Sequence, residues 1–285
     1  MNGIIIINKP KGCTSHDIVY KVKKILNEKV GHTGTLDPMA EGVLPILIGK
    51  GTLCSKYLVN HDKEYIVKLK LGIKTNTADS EGEIIEEKEV NNELLTEENI
   101  DKVFKSFIGK QNQIPPIYSA IKVNGKKLYE YARKGQAVEI KPRQIEIYNI
   151  ELINNSIENH EIEFKVFCGK GTYIRSLCED IADRLKTVGY MKELKRTQVG
   201  EFYIKDSIEV SDLENDIDNK IITIEKLFEE KNSITLTQKK LEKFLNGVKL
   251  SVDEQNGLYK IYDFNNKFIG IGIIENNSLK RDIIL

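Results

Sequence analysis

Residues 3–9, GIIIINK, are almost wholly apolar and stop at Pro10-Lys11-Gly12, which predicts a buried strand ending in a turn. The period then changes. In SHDIVYKVKKILN (15–27), Ile18, Val22, Ile25 and Leu26 recur at helical spacing, and Ser15 is placed to act as the N-cap. GVLPILIG (42–49) predicts a short apolar strand, and YIVKLKLG (65–72) alternates at every second residue as a half-buried strand does. TNTADSEGEI (75–84) is a polar turn region leading into a further short strand. Thr96 starts a second helix whose stripe is Ile100, Val103, Phe104 and Phe107. IEIYNIELI (145–153) and IEFKVFCG (162–169) predict two more strands. TYIRSLCEDIADRLKTVG (172–189) predicts a helix with Ile174, Leu177, Cys178, Ile181 and Leu185 on one face.

Strands and helices are mixed without the regular alternation of a doubly wound fold, so the pattern predicts an α+β domain on a mixed sheet. Near residue 231 an acidic segment ends and a compact module begins. It comprises a helix over QKKLEKFLNG (238–247), strands over GLYKIYDF and FIGIGIIEN, and a final SLKRDIIL, with Asn265-Asn266 at a hairpin turn. The predicted domains are therefore 1–230 and 231–285.

Composition adds constraints. At 40% hydrophobic and 30% charged the chain reads as a globular protein. The IIII run is too short to cross a membrane and is followed by no small-residue cleavage site, so a cytoplasmic location is expected. Cys13, Cys54, Cys168 and Cys178 form no CxxC pair, and four scattered histidines give no metal cage. The net charge is zero, but its distribution is uneven. The blocks run +6 (1–75), −9 (76–101), +8 (102–143), −5 (144–164), +4 (165–205), −7 (206–230) and +3 (231–285). If the basic blocks converge they form a groove for phosphates; otherwise they are solvated faces.

The candidate chemistry centres on GHTGTLDPMAEG (31–42), which fixes Asp37 between a Thr-Gly turn and a proline. It is either a plain Asp-Pro bend or a carboxylate aimed at a ligand, and Glu41 offers a second carboxylate for acid–base work. Arg175 falls in the first turn of a predicted helix, where the dipole disfavours a cation unless a carboxylate compensates. Glu179 or Asp37 could supply it. Tyr65 is either core or a stacking face for a base. Residues 113–143 interleave basic residues with Tyr118, Tyr129 and Tyr131, which suits looped RNA or a solvated insertion. No phosphate-cradling GxxxxGK[ST] loop, dinucleotide fingerprint or HExxH occurs.

GHTGTLDPMAEG resembles the signature loop of the TruB family of pseudouridine synthases. Four further segments resemble that family in order: GIIIINKPKGCTSHDIV, KEYIVKLKLGIKTNTADSEGEI, PPIYSAIKVNGKKLYEYARKG, and GKGTYIRSL with ELKRTQVGEF. The tail resembles a reduced PUA-type RNA-binding domain. The resemblance implies a largely antiparallel mixed sheet flanked by helices, with a thumb-loop insertion at about 113–143. It implies isomerisation of uridine to pseudouridine at position 55 in the T loop of tRNA, without cofactor or metal. The enzyme would act as a monomer with no obligatory protein partner. It further implies that Asp37 is the catalytic nucleophile, that Tyr65 stacks on the uracil and serves in proton removal, and that Arg175 pairs with Asp37. His32, Tyr173 and Leu194 would line the site of the extracted nucleotide, and Lys9 with Pro10 would support the loop and complete the substrate-contacting set. His32 and the thumb are the groups for filling the vacancy that the flipped base leaves. Two other readings stay open: a catalytic subunit of a guide-RNA machine, and an RNA-binding or RNA-folding protein with vestigial machinery.

Overall fold

In a computed structural model, the backbone of residues 1–285 is described, as are all side chains except those at 214–216 and 218. An eleven-stranded sheet organises the larger part of the chain. Its middle is the Lys63–Leu71 strand, paired antiparallel with Glu161–Cys168 on one side and Gly189–Val199 on the other. The Gly189–Val199 strand, which the hydrophobic pattern did not predict, joins parallel to Glu41–Ile48, which runs antiparallel to Gly3–Lys9. The remaining described pairs in this sheet are antiparallel except Gly3–Lys9 with Ile208–Glu209, so the sheet is mixed and largely antiparallel.

Alternation in KEYIVKLKL has its expected result: Tyr65, Val67, Leu69 and Leu71 are buried on one face. Helices Glu97–Lys105 and Ile174–Arg184 cover that face, joining Ile100, Phe104, Leu177, Cys178 and Ile181 to Val67, Leu69 and Phe164. The first helix, Ser15–Leu26, packs Ile18, Val19 and Val22 against Ile5, Ile7, Leu44 and Ile46. Its N-cap is Thr14 rather than Ser15. The Thr14 and Asp17 side chains close a reciprocal capping box. Ser15 is drawn elsewhere, because its Oγ bonds both the backbone N–H and the carbonyl of Leu36.

The C-terminal module is a five-stranded sheet in the order Ser233–Thr235, Gly257–Tyr262, Phe268–Glu275, Ser278–Ile284, Leu250–Ser251, with helix Gln238–Leu245 against it. Leu236, Phe244, Ile261, Ile274 and Leu279 form its core. Ile271 and Ile283 pack with Ile4, Val43, Leu58 and Phe228, so the module shares apolar surface with the large sheet. Residues 113–143 carry a small hairpin, Lys122–Val123 with Lys126–Lys127, turned by Asn124-Gly125 at positive φ, and then the helix Leu128–Arg133.

Candidate active site

Asp37 lies in the loop between strands Val30–His32 and Glu41–Ile48. Several side chains hold that loop. Ser15 bonds Leu36 from both sides, and the Gly12 N–H donates to the Pro38 carbonyl at 2.9 Å. The fully buried Lys9 donates from Nζ to the carbonyls of Pro10 (2.9 Å), Cys13 (2.7 Å) and Pro38 (3.3 Å). Gly42 ends the loop at φ +109°, where an added Cβ would lie 2.1 Å from the Arg196 carbonyl oxygen, so no side chain fits.

The carboxylate held in this way faces a cavity of about 520 Å³ whose wall includes Asp37, Tyr65, Tyr173, Arg175, Leu194 and Arg196, with Tyr118 and Tyr129 contributed by the insertion. Arg175 Nε stands 3.2 Å from Asp37 Oδ2; the arginine side chain is 8% exposed and the aspartate 35%. Arg175 Nη1 also stands 3.6 Å from Asp79 Oδ2 and donates to the Thr77 carbonyl, while Nη2 donates to the Tyr118 carbonyl at 2.9 Å. Glu179, the alternative partner of Arg175, is instead 3.5 Å from Lys74. Two carboxylates thus compensate a cation at the positive end of a helix.

Burial raises the Asp37 carboxyl above its usual range and Arg175 opposes that rise, while the neighbouring Asp79 reinforces it. The site therefore has a carboxylate that is open to a ligand, and its ionisation depends on a fixed cation. Tyr65 is 7% exposed and sits at the cavity end of its strand, so it is both part of the core and part of the cavity wall. Burial pushes its phenol up to about 12, with Arg196 acting in the other direction. Tyr173, the N-cap of the Ile174–Arg184 helix, is held at both backbone groups by the buried Gln113 side chain, at 2.9 and 3.0 Å. Leu194 is buried beside them.

Two of the expected substrate contacts fall outside the cavity wall. Lys9 turns its amine onto three carbonyls and so braces the Asp37 loop from behind. His32 is pinned half-buried in the Val30–His32 strand, its Nδ1 without a hydrogen-bond partner, and burial followed by the charge of Arg196 lowers its pKa. Asp79, Arg196 and Gln113 were not singled out in the sequence. Asp79 was hidden in a polar turn, and Arg196 follows Leu194 by two residues within the ELKR stretch already associated with the site. Glu41 does not face Asp37 as a second acid, because its side chain pairs with Lys195 at 3.6 Å. Among the described residues no group of three or more His, Cys, Asp or Glu is placed to hold a metal ion.

The site is thus a cavity at the strand ends of a mixed sheet, with an arginine-paired aspartate presented from a braced loop. Residues 23–174 match the model of the TruB family pseudouridylate synthase N-terminal domain. Residues 175–248 match the tRNA pseudouridylate synthase B C-terminal domain, and 233–280 match the Pseudouridine synthase II TruB C-terminal model. The chain belongs to the TruB family of pseudouridylate synthases. It is 46% identical to the tRNA pseudouridine synthase B of Clostridium kluyveri over 98% of both chains. It is 42% identical to that of Caldanaerobacter subterraneus subsp. tengcongensis, again over 98% of both. Among solved structures it is similar to a chain of a Cbf5-Nop10-Gar1 complex, with TM-score 0.67 and 26% identity over 99% of this chain and 83% of the other. A chain of an H/ACA RNP bound to a substrate RNA shares the fold at TM-score 0.69 and 24% identity, covering 99% of this chain and 85% of that one.

Proposed function

We propose that this chain converts uridine to pseudouridine at position 55 in the T loop of tRNA, with the target nucleotide everted into the cavity and Asp37 as nucleophile. The observation that carries this reading is the Asp37 carboxylate, open to the cavity and paired with a nearly buried arginine. The isomerisation breaks the N1–C1′ bond, forms a C5–C1′ bond, takes a proton from C5 and leaves one on N1. No net oxidation occurs, so the reaction asks for a nucleophile, a place for the uracil and a route for one proton. Asp37 supplies the first. Tyr65, Leu194 and Tyr173 form walls on which a planar base fits, and Tyr118 and Tyr129 close the side formed by the insertion. Everting a nucleotide costs a few kcal/mol, which the thumb lysines and arginines offset through phosphate contacts. The C-terminal sheet extends the RNA-binding surface as a separate domain from about residue 231.

Action as a monomer, without a protein partner and in the cytoplasm, is part of the same proposal. It is supported by the near-complete coverage of the bacterial relatives. Among the described residues no helix is long and apolar enough to cross a membrane. The likeness to the Cbf5-containing complex favours a second reading, in which the chain serves a guide-RNA machine.

Incubation of the purified chain with a T-arm stem-loop, followed by mass-spectrometric mapping, tests both readings. Pseudouridine at a single T-loop position is expected from the chain alone, and a requirement for accessory proteins would favour the second. Asp37→Asn is expected to bind the RNA within about tenfold of wild type and to make no product. Product from that variant would remove Asp37 from its role.

A further inference from the structure

Arg196 is among the largest fully buried side chains, at 1% exposure, yet it has no carboxylate within ion-pair distance among the described residues. A buried cation without an acid is costly unless other groups compensate. Its Nε donates to the Val43 carbonyl at 2.7 Å and its Nη2 to the Gly34 carbonyl at 2.9 Å. These two carbonyls flank Asp37 in the chain, one at each end of the braced loop. Gly34 matters here: an added Cβ would come within 3.4 Å of Arg196 Nη1. In the sheet, Arg196 is directly opposite Tyr65 across the antiparallel pair, and both side chains line the cavity. The guanidinium thus stands on the same side of the sheet as the Tyr65 phenol, and its positive charge opposes the rise that burial gives the phenol's pKa.

We propose that Arg196 is the positioning residue for Tyr65, clamping the Asp37 loop to the tyrosine's strand and occupying the phenol oxygen so that its O–H is aimed into the cavity as a donor to an oxygen of the everted nucleoside. This rests on the uridine-isomerising reading of the cavity. Guanidinium geometry suits the task, because five N–H groups in a rigid fork serve two carbonyls and a phenol at once. An ammonium cannot span all three. Aimed in this way, Tyr65 orients the uracil by hydrogen bonding. With its phenol pushed up to about 12, Tyr65 keeps near neutral pH the proton that such a donor needs.

The test places 3-fluorotyrosine, which ionises at lower pH than tyrosine, at position 65 and follows its fluorine resonance through a pH titration. The titration is run in the parent, in Arg196→Met and in Arg196→Lys. Single-turnover pseudouridine formation and RNA affinity are measured for the same substitutions in the Tyr65 and Tyr65→Phe backgrounds. Arg196→Met is expected to move the titration to higher pH and to slow the single turnover at least about tenfold, with RNA affinity within about threefold. Arg196→Lys, which keeps the charge, is expected to recover part of both and stands in if the methionine variant fails to fold. Little further loss is expected in the Tyr65→Phe background. An unmoved fluorine titration, an unchanged single-turnover rate, or an equal loss in both backgrounds would overturn the proposal. A shifted titration in a chain that modifies no RNA would leave the positioning intact and sink only the assigned reaction.

Discussion

Arg175 Nε and Asp37 Oδ2 stand 3.2 Å apart although they are 138 positions apart in the chain, the arginine nearly buried and the carboxylate open to a cavity. The pair sets a charge state. Burial alone would favour a protonated, unreactive carboxyl, and the guanidinium holds the balance toward the ionised form. It also fixes the direction of the carboxylate, because Arg175 is itself held by the carbonyls of Thr77 and Tyr118.

From this pair follows a pH dependence. The Asp37 carboxyl is raised by burial and lowered by Arg175. Activity should therefore fall on the acid side at a pH above the ordinary aspartate value of about 4. Arg175→Met removes the main opposing influence, so the acid limb should move to higher pH and the rate at neutrality should drop by about a hundredfold or more, with little change in RNA affinity. The sign for stability is separate. A carboxyl raised in the folded state contributes stability below its unfolded pKa and loses it as pH rises through the folded one. A rate–pH profile of the two proteins checks the first point; normal turnover in Arg175→Met removes Arg175 from the site.

Asp79 gives the opposite sign. It is 4% exposed, lies 3.6 Å from Arg175 Nη1, and accepts from the Thr77 hydroxyl and the Glu81 N–H. Its negative charge raises the Asp37 carboxyl. Asp79→Asn should therefore shift the acid limb to lower pH, while loosening Arg175 lowers the rate about ten- to a hundredfold. An acid limb that moves upward would contradict this account.

Lys9 separates a structural role from a binding role. Its amine satisfies three carbonyls around the Asp37 loop. Lys9→Met leaves them bare and should cost about 1–3 kcal/mol, read as a lowered Tm by calorimetry. The turnover rate should fall because the loop shifts, whereas RNA affinity should stay within about twofold. A large loss of affinity with unchanged stability would restore Lys9 to the substrate-contacting set.

The insertion should act through charge. Lys122 and Lys126 are exposed on its hairpin, and Lys127 and Arg133 flank the Tyr129 ring. Binding of T-arm RNA should weaken linearly on a log–log plot against salt concentration, and replacing either exposed lysine with alanine should reduce the slope by about 1. Filter binding across a salt series measures it. An unchanged slope would place these lysines away from the phosphates.

Much of this protein was legible in the sequence because it is written in local periods. The alternation of YIVKLKL placed Tyr65 on the buried face, and the stripe Ile174, Leu177, Cys178, Ile181 gave the helix that carries Arg175. The Asp37 loop could be read from its own turn residues and from its likeness to a known family. Gly189–Val199 escaped because its sequence, GYMKELKRTQV, is largely polar. It is a central strand whose charged side chains find cavity, carbonyl or ion-pair partners, so its exposed-looking pattern hides its place in the sheet.

What only the tertiary structure decided is which charges meet. Sequence spacing put Glu179 within reach of Arg175 on one helix face, yet folding gave Glu179 to Lys74 and gave Arg175 to Asp37 and Asp79. It also turned Lys9 inward onto the loop and set Arg196 opposite Tyr65. Hydrophobic periodicity fixes which face of an element is buried, since burial depends on each residue's own chemistry. The pairing of charges depends on sheet register and on loops converging from distant parts of the chain, and no local pattern encodes that geometry.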